Sequence, residues 1–424
     1  MTISLGRGPG GRFAPIGVRM ARRGTAGQFA ALLLAGGMEP AAAEAPASIR
    51  FDAVLTGMAQ QVDAAGSANG RAEFHLNYRG DLSATLAGGS RGQVAGTGFI
   101  QVRFGQGTGV GLRPTYTSTP NTTAFELASG HPDAAFAVLA QAWYQVEVPL
   151  SAGGAAAAAT QRLSITAGKI DPFVFFDQNA AADDESRRFT NNAFVHNPLL
   201  DSGADAGVDA YGFAPGLRVT WARNSLASSN WSVSLGAFGS GEAARFSGPP
   251  ERPFVIGQID ASTSRPANQP GNYRLYLWRN GRAEDFDGTV AAHSGWGVSV
   301  DQRVGAALTV FGRYGDRRVG SGTFDRALTL GAELGGNDWQ RRADAFGIGL
   351  GWLRTSRDYR AATADAQLAG YAASGAERIA EIYYRFELGG HLSITPDLQW
   401  IHRPGGDDGA RSTMIAGLRA RLSR

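Results

Sequence analysis

The chain has 424 residues, 43% of them hydrophobic and 18% charged, and no Cys, so disulfide frameworks, zinc ribbons and cysteine nucleophiles are excluded. The formal charge of +3 is too small to argue for nucleic acid, and the basic side chains are dispersed and all Arg except Lys169. Mean hydropathy is -0.17, and no apolar run approaches the roughly 20 residues of a spanning helix, which excludes a helical-bundle membrane protein.

The first element in the chain is an export signal. Arg22 and Arg23 precede the short apolar run Phe29-Ala30-Ala31-Leu32-Leu33-Leu34-Ala35, and Ala41-Ala42-Ala43 follow. A basic stretch, a short apolar core and small residues at the cleavage positions make a Sec-type signal peptide over residues 1–43. Cleavage is expected after Ala43, with Ala45 second, and Met20 fits as the true start. Residues 44–424 then form one β-barrel domain.

Beyond residue 48 the repeating unit is a strand of about ten residues with period-two alternation, ended by Gly, Asn, Asp or Pro. Phe74, Leu76 and Tyr78 alternate with Glu73, His75 and Asn77. The same pattern sets Tyr144, Val146 and Val148 against Gln145 and Glu147, and Ile382, Tyr384 and Phe386 against Glu381, Tyr383 and Arg385. Sixteen such runs begin near Ile49, Arg71, Val94, Ala142, Gln161, Pro215, Trp231, Pro253, Asn272, His293, Ala306, Arg326, Ala343, Ala380, His391 and Arg411. A soluble sandwich also alternates. Arg and Glu in mid-strand on the polar face, an even strand count, and aromatics near strand ends favour an all-β, transmembrane antiparallel β-barrel of about 16 strands. Tyr78, Trp143, Trp221, Trp231, Trp278, Trp352 and Trp400 are expected to form its interfacial girdle. Phe74, Leu76, Tyr144, Val146, Val298, Ile382, Tyr384 and Phe386 are expected to face lipid.

Three stretches break the alternation and are expected to be loops. Residues 119–142 have room for one or two helical turns. Residues 183–194 (DDESRRFTNNAF) open with carboxylates that suit a helix N-terminus. Residues 360–377 read as an extended loop. The segment 171–194 begins too apolar to hang in solvent and continues too charged to face lipid. It is therefore expected to fold inward or sit at the mouth, packing its Phe residues on the wall and narrowing the passage. There it would present Asp177, Asn179, Glu185 and Arg188 to the water column.

GKIDPFVFFDQNAAADDESRRFTNNAF and GFAPGLRVTW, with GWGVSVDQRV, LTVFGRYG and EIYYRFELGGHLSITPDLQWIHRPGG, resemble the carbohydrate-selective porins of the OprB type. The likeness covers roughly residues 50–424, with DPFVFFDQN and TPDLQWIHRPGG as its distinctive parts. It implies an outer-membrane channel for facilitated diffusion of monosaccharides, glucose-like sugars above all, into the periplasm. It also implies sixteen strands and inward-folded loops. One departure is the end of the chain: barrels of this kind usually finish on Phe, whereas GLRARLSR finishes on Arg424.

Selecting a sugar requires planar donors and acceptors for its hydroxyls, aromatics for its ring face, and binding weak enough for release. By strand parity Arg103, Glu147, Arg218, Glu381, Arg385 and Gln399 face inward and meet that need. Lys169, Asp171, Asp177, Asn179, Glu185 and Arg188 are pore-lining residues through the resemblance. For any one of these, pairing across the lumen to hold a loop is an equally good role.

Asp177, Asp183, Asp184 and Glu185 would also serve a glycosidase, which needs one acid and one base, but carboxylate clusters are common and unspecific. Asp201, Asp205 and Asp209 lack EF-hand spacing. HPD at residues 131–133 lacks the helical hairpin of a co-chaperone, and GTGVG opens no helix. Six scattered His give no metal site and no G-x-S-x-G elbow occurs. No catalytic residue, cofactor or metal is therefore expected. The partners are small sugars and outer-membrane lipids. A general diffusion porin, an exported β-rich glycoside hydrolase and a secreted β-sandwich adhesin are the competing readings.

Overall fold

The computed structural model describes residues 48–88, 94–112, 118–125, 134–150, 159–201, 205–225, 229–241, 244, 251–263 and 269–424. The export segment with its cleavage site, and HPD at 131–133, lie outside the described residues.

Sixteen strands run in chain order. They are β1 (Ser48–Val62), β2 (Glu73–Ala87), β3 (Ala95–Gly107), β4 (Phe136–Pro149), β5 (Ala159–Ile170), β6 (Ala214–Ser225), β7 (Asn230–Phe238) and β8 (Phe254–Thr263). Then come β9 (Gly271–Glu284), β10 (Val290–Val304), β11 (Leu308–Val319), β12 (Phe324–Gly336), β13 (Arg341–Thr355), β14 (Ala376–Leu388), β15 (Leu392–His402) and β16 (Thr413–Ser423). Each pairs antiparallel with its neighbours, and β1 pairs with β16 to close the barrel. Closure satisfies every strand edge, as a bilayer with no competing water demands. Beside the β1–β16 seam Arg424 and Ala53 exchange backbone hydrogen bonds of 2.9 and 3.1 Å.

All sixteen expected strands are present, but β4 starts six residues before the expected Ala142. A bulge explains the difference: the β3 register shifts between Gln101 and Val102, and Ala140 and Gln141 are both buried. That local break in parity hides the strand's beginning from a period-two reading. Among the described residues, the rim where β1 begins and β16 ends has tight turns, such as Gly389 and Gly390 with φ of 73° and 82°, a conformation L side chains resist. The long connections are on the opposite rim.

The outer wall is apolar: Phe74, Leu76, Tyr144, Leu277, Leu350, Ile382 and Phe386 point outward and are exposed, while Glu381, Tyr383 and Arg385 between them are buried inside. Val146, Val298 and Tyr384 share the outward parity, each half-buried by neighbours. Two girdle assignments are corrected. Trp143 faces the lumen, stacked on Phe99, and Trp278 is buried there with its indole Nε1 donating to Asp205 at 2.8 Å. Both rings pack against inserted loop residues, which aromatic placement along a strand does not reveal.

Contrary to a purely water-filled barrel, a hydrophobic cluster lies inside, formed by Phe173, Phe176, Phe189, Phe194, Leu199 and Leu200 with wall residues Phe238, Phe254, Tyr276, Phe311 and Tyr383. Glycines make the room. On β13, Gly347, Gly349 and Gly351 alternate with outward residues, and a Cβ at Gly349 would come within 2.8 Å of Phe194 and 3.0 Å of Phe189.

Among the described residues the loops carry three short helices: α1 (Thr122–Phe125), α2 (Asn192–Val195) and α3 (Arg357–Ala362). The acidic run at 183–185 does not begin a helix over 183–194. Asp184 instead closes a turn, its carboxylate accepting from the Ser186 backbone at 3.0 Å, and only α2 is helical, capped by Asn191. The connection after β13 is likewise not fully extended, since Ser356 caps α3 through the Tyr359 backbone at 3.0 Å.

Candidate functional site

The site is the barrel's interior where the β5–β6 connection crosses it. This segment leaves β5 at Ile170 and turns at once: the Asp171 carboxylate accepts from the Phe173 backbone at 2.9 Å, and Pro172 starts a short 3-10 turn. Phe173, Phe176 and then Phe189 and Phe194 bury themselves on the wall, so apolar transfer drives the inward fold. The segment then tours the barrel. It bonds to Gln258 on β8, Tyr276 on β9, Ser299 on β10, Arg313 on β11, Glu381 on β14, Gln399 on β15 and Arg419 on β16.

Asp177 has φ of 55°, a left-handed conformation that Asp tolerates better than most residues. Its side chain accepts from Tyr276 Oη at 2.8 Å, Arg313 Nε at 3.2 Å and the Asn197 backbone at 2.6 Å. It is therefore enclosed, and so is Asn179, which donates to the Val300 carbonyl at 3.1 Å. The expectation that these two side chains meet the water column is not met. Burial and full hydrogen bonding make them fasteners of the segment. Glu185 is also buried, in an ion pair with Arg79. Arg188 keeps more exposure, between Asp183 at 3.6 Å and Glu333 at 3.5 Å. Burial raises the Asp183 carboxyl's pKa despite that arginine.

Glu381 and Gln399 come together under the same bend. Glu381 accepts from the backbones of Thr190 at 2.5 Å and Asn191 at 2.9 Å. Gln399 donates to Thr190 Oγ1 at 2.9 Å and to the Pro120 carbonyl at 2.8 Å. A second inserted piece, residues 118–125, is thereby tied to the first, with Thr122 donating to the Thr190 carbonyl and Asn192 to that of Thr119. Arg385 pairs with Glu333 and Glu387, each at 3.1 Å, and donates to the Arg187 carbonyl at 3.2 Å. Arg103 pairs with Asp81 at 2.7 Å.

Three predicted residues stand apart. Glu147 pairs with Arg162 at 3.3 Å toward the rim where β1 begins and β16 ends. Lys169 meets Asp209 at 3.0 Å and lies over the Phe213 ring. Arg218 rests on Phe175. The loosely calcium-like Asp201, Asp205 and Asp209 are claimed separately by His196, Arg317 and Lys169. Although burial works against it, the Asp201 carboxylate at 2.7 Å raises the His196 pKa to about 9. Burial likewise opposes ionisation of Asp205, but Arg317 and His293 hold its carboxyl below the usual range.

Sequence reasoning missed Arg79, Asp81, Arg313, Glu333 and Arg419, all of which face inward. Their signal was present: each is a charge in mid-strand at the polar parity, within pieces that otherwise read as generic barrel strands. The result is a lumen lined by alternating partners, Arg79–Asp81–Arg103 on one side and Arg188–Glu333–Arg385–Glu387–Arg187 on the other.

A closed sixteen-stranded barrel with an apolar exterior, a charged interior and inward-folded connections is an outer-membrane porin, a channel and not an enzyme. The sequence model described as "Carbohydrate-selective porin, OprB family" matches residues 72–423, and the chain belongs to that family. The high-pH structure of Pseudomonas putida OprB superposes with a TM-score of 0.67 at 18% identity, over 89% of this chain and 94% of that one. An anion-selective porin from Comamonas acidovorans gives a TM-score of 0.52 at 8% identity over 89% of this chain and 100% of that one. At such identities the likeness is one of fold. Porin AaxA of Chlamydia pneumoniae is 24% identical over 161 residues, 38% of this chain and 34% of its own length, so the match spans about a third of that relative.

Proposed function

We propose that this porin admits glucose-like monosaccharides to the periplasm by facilitated diffusion, and that the chain reaches the outer membrane behind a Sec-type signal peptide ending at Ala43. One observation carries the reading: most lumenal charges, Arg218 apart, are matched in pairs around the inserted segment of residues 171–201. Paired charges offer planar donors and acceptors to neutral hydroxyls without the net field that concentrates ions. Of the residues expected at the pore, the partly exposed Arg188 and Arg218 are the ones proposed to touch the solute most fully, with the more enclosed guanidiniums of Arg103 and Arg385 beside them. Asp171, Asp177, Asn179, Glu185, Glu381 and Gln399 hold the inserted segment in place, and Glu147 and Lys169 lie toward the two ends. Liposome swelling tests this. Vesicles carrying the protein should swell faster in glucose than in an uncharged non-sugar solute of equal size. Equal rates would make it a general diffusion porin.

A further inference from the structure

Among the described residues Arg218 is set apart from most other inward guanidiniums by having neither a carboxylate nor a carbonyl partner; Arg419, which also pairs with no carboxylate, donates to the carbonyls of Glu185 and Arg188. Arg79, Arg103, Arg188, Arg313 and Arg385 each meet a carboxylate within 3.6 Å. Among the described residues Arg218 meets none, and its Nε is enclosed without a hydrogen-bond partner. Two carboxylates in its neighbourhood are engaged elsewhere, Asp260 with Arg274 at 3.4 Å and Glu147 with Arg162 at 3.3 Å. The guanidinium carbon lies 4.4 Å from the centroid of Phe175. Phe175 meets Trp143 edge-on at 5.7 Å, and Trp143 stacks on Phe99 at 5.0 Å and 24°. All four residues are half-buried, so a row of three rings, Phe99 and Trp143 on the wall and Phe175 on the inserted segment, ends in an unpaired, partly desolvated cation.

Such a cation is left with unspent bonding capacity, because a guanidinium presents five donors and is charged at neutral pH. A carboxylate arriving from the water column would fill it in bidentate geometry. The rings beside it offer an apolar surface to the C–H face of a flat ring. A solute that uses both is a sugar acid.

We propose that Arg218, with Phe175 and Trp143, forms a lumenal subsite for acidic pyranoses such as hexuronates, engaging the sugar's carboxylate. The inference rests on the sugar-channel reading above and narrows its solute class. The subsite draws acidic sugars ahead of neutral ones while contact remains weak enough for release.

Single-channel current across a planar bilayer tests it, with D-glucuronate, D-glucose and propionate as probes of the full-length mature protein. Glucuronate should interrupt the current at concentrations about tenfold lower than glucose, the size of a charge-assisted hydrogen bond, and propionate should not match it. Arg218→Gln should bring the ratio of the two sugar constants to about one, and Arg218→Lys should restore only part of it, since an ammonium lacks the fork. Glucose block without a glucuronate preference overturns the subsite alone and leaves the sugar channel standing. Block by propionate equal to glucuronate, or a preference that survives Arg218→Gln, also overturns it. If neither sugar blocks, both the subsite and the sugar-channel reading fall. Heat-modifiable migration of each variant establishes that its barrel is folded.

Discussion

Arg313 on β11 holds Asp177 by both its carboxylate, at 3.2 Å, and its carbonyl, at 3.0 Å, while the same guanidinium donates to the Phe194 carbonyl at 2.5 Å. One wall residue thus clamps the inserted segment at two points seventeen positions apart in sequence. Both side chains of the pair are buried, so truncating one strands the other's charge. Asp177→Ala should cost about 3–5 kcal/mol. It should lower the temperature at which the barrel shifts to unfolded migration on a gel and raise single-channel conductance as the segment loosens. Unchanged migration and conductance would mean that the clamp is dispensable.

Glu185 and Arg79 form a second clamp, to β2. Glu185→Ala and Arg79→Ala should each increase conductance, and the double change should do less than the sum, because the two act through one contact. Strict additivity in the four-way comparison would separate them.

The strand alternation made sixteen strands and their outward faces legible, because burial on one side of a pleat repeats every second residue. The same rule was blind where the inner face is not simply polar. Trp143 and Trp278 look like girdle residues until the inserted Phe and Asp side chains that meet them are known. Asp177 and Asn179 look like pore residues because they are polar and stand in a loop. Their enclosure arises from contacts 81 and 121 residues away, to Gln258 and Val300, which local pattern does not encode. The glycines of β13 were a readable sign that something large packs there.

Those glycines give a third prediction. A side chain at Gly349 would overlap Phe194 and Phe189, and the segment should be displaced before the barrel is. Gly349→Leu should therefore keep heat-modifiable migration while increasing conductance and making residues 183–188 cleavable by trypsin at Arg187 or Arg188. Resistance to trypsin equal to that of the unaltered protein would show that the aromatic packing adjusts.

His196 gives the pH dependence. Its pKa rises from the ordinary 6.5 to about 9 beside Asp201, and its ring stacks on Phe173 at 4.0 Å. A folded-state value above the unfolded one means the stabilisation is whole below about pH 6.5, declines above it, and is lost as pH passes 9. Thermal unfolding followed from pH 6 to 10 should show a decline that His196→Asn removes. A variant that declines in parallel with the unaltered protein would place the titration elsewhere.

The outer face gives the plainest energetic test. Leu350 and Ile382 project outward from mid-strand, and an Arg at either should cost about 2–4 kcal/mol in the bilayer. Equilibrium unfolding into lipid vesicles measures it, and a cost below about 1 kcal/mol would belong to a residue near the interface rather than mid-membrane.

Glucose titration of the single-channel current tests directly whether the paired lumenal charges bind sugar. Conductance should fall along a saturating curve with added glucose, beyond the loss caused by viscosity, and Arg103→Ala or Arg385→Ala should shift that curve to higher concentration. A decline that only tracks viscosity, unchanged by either substitution, would contradict the account and leave a barrel whose charges merely hold its own loops.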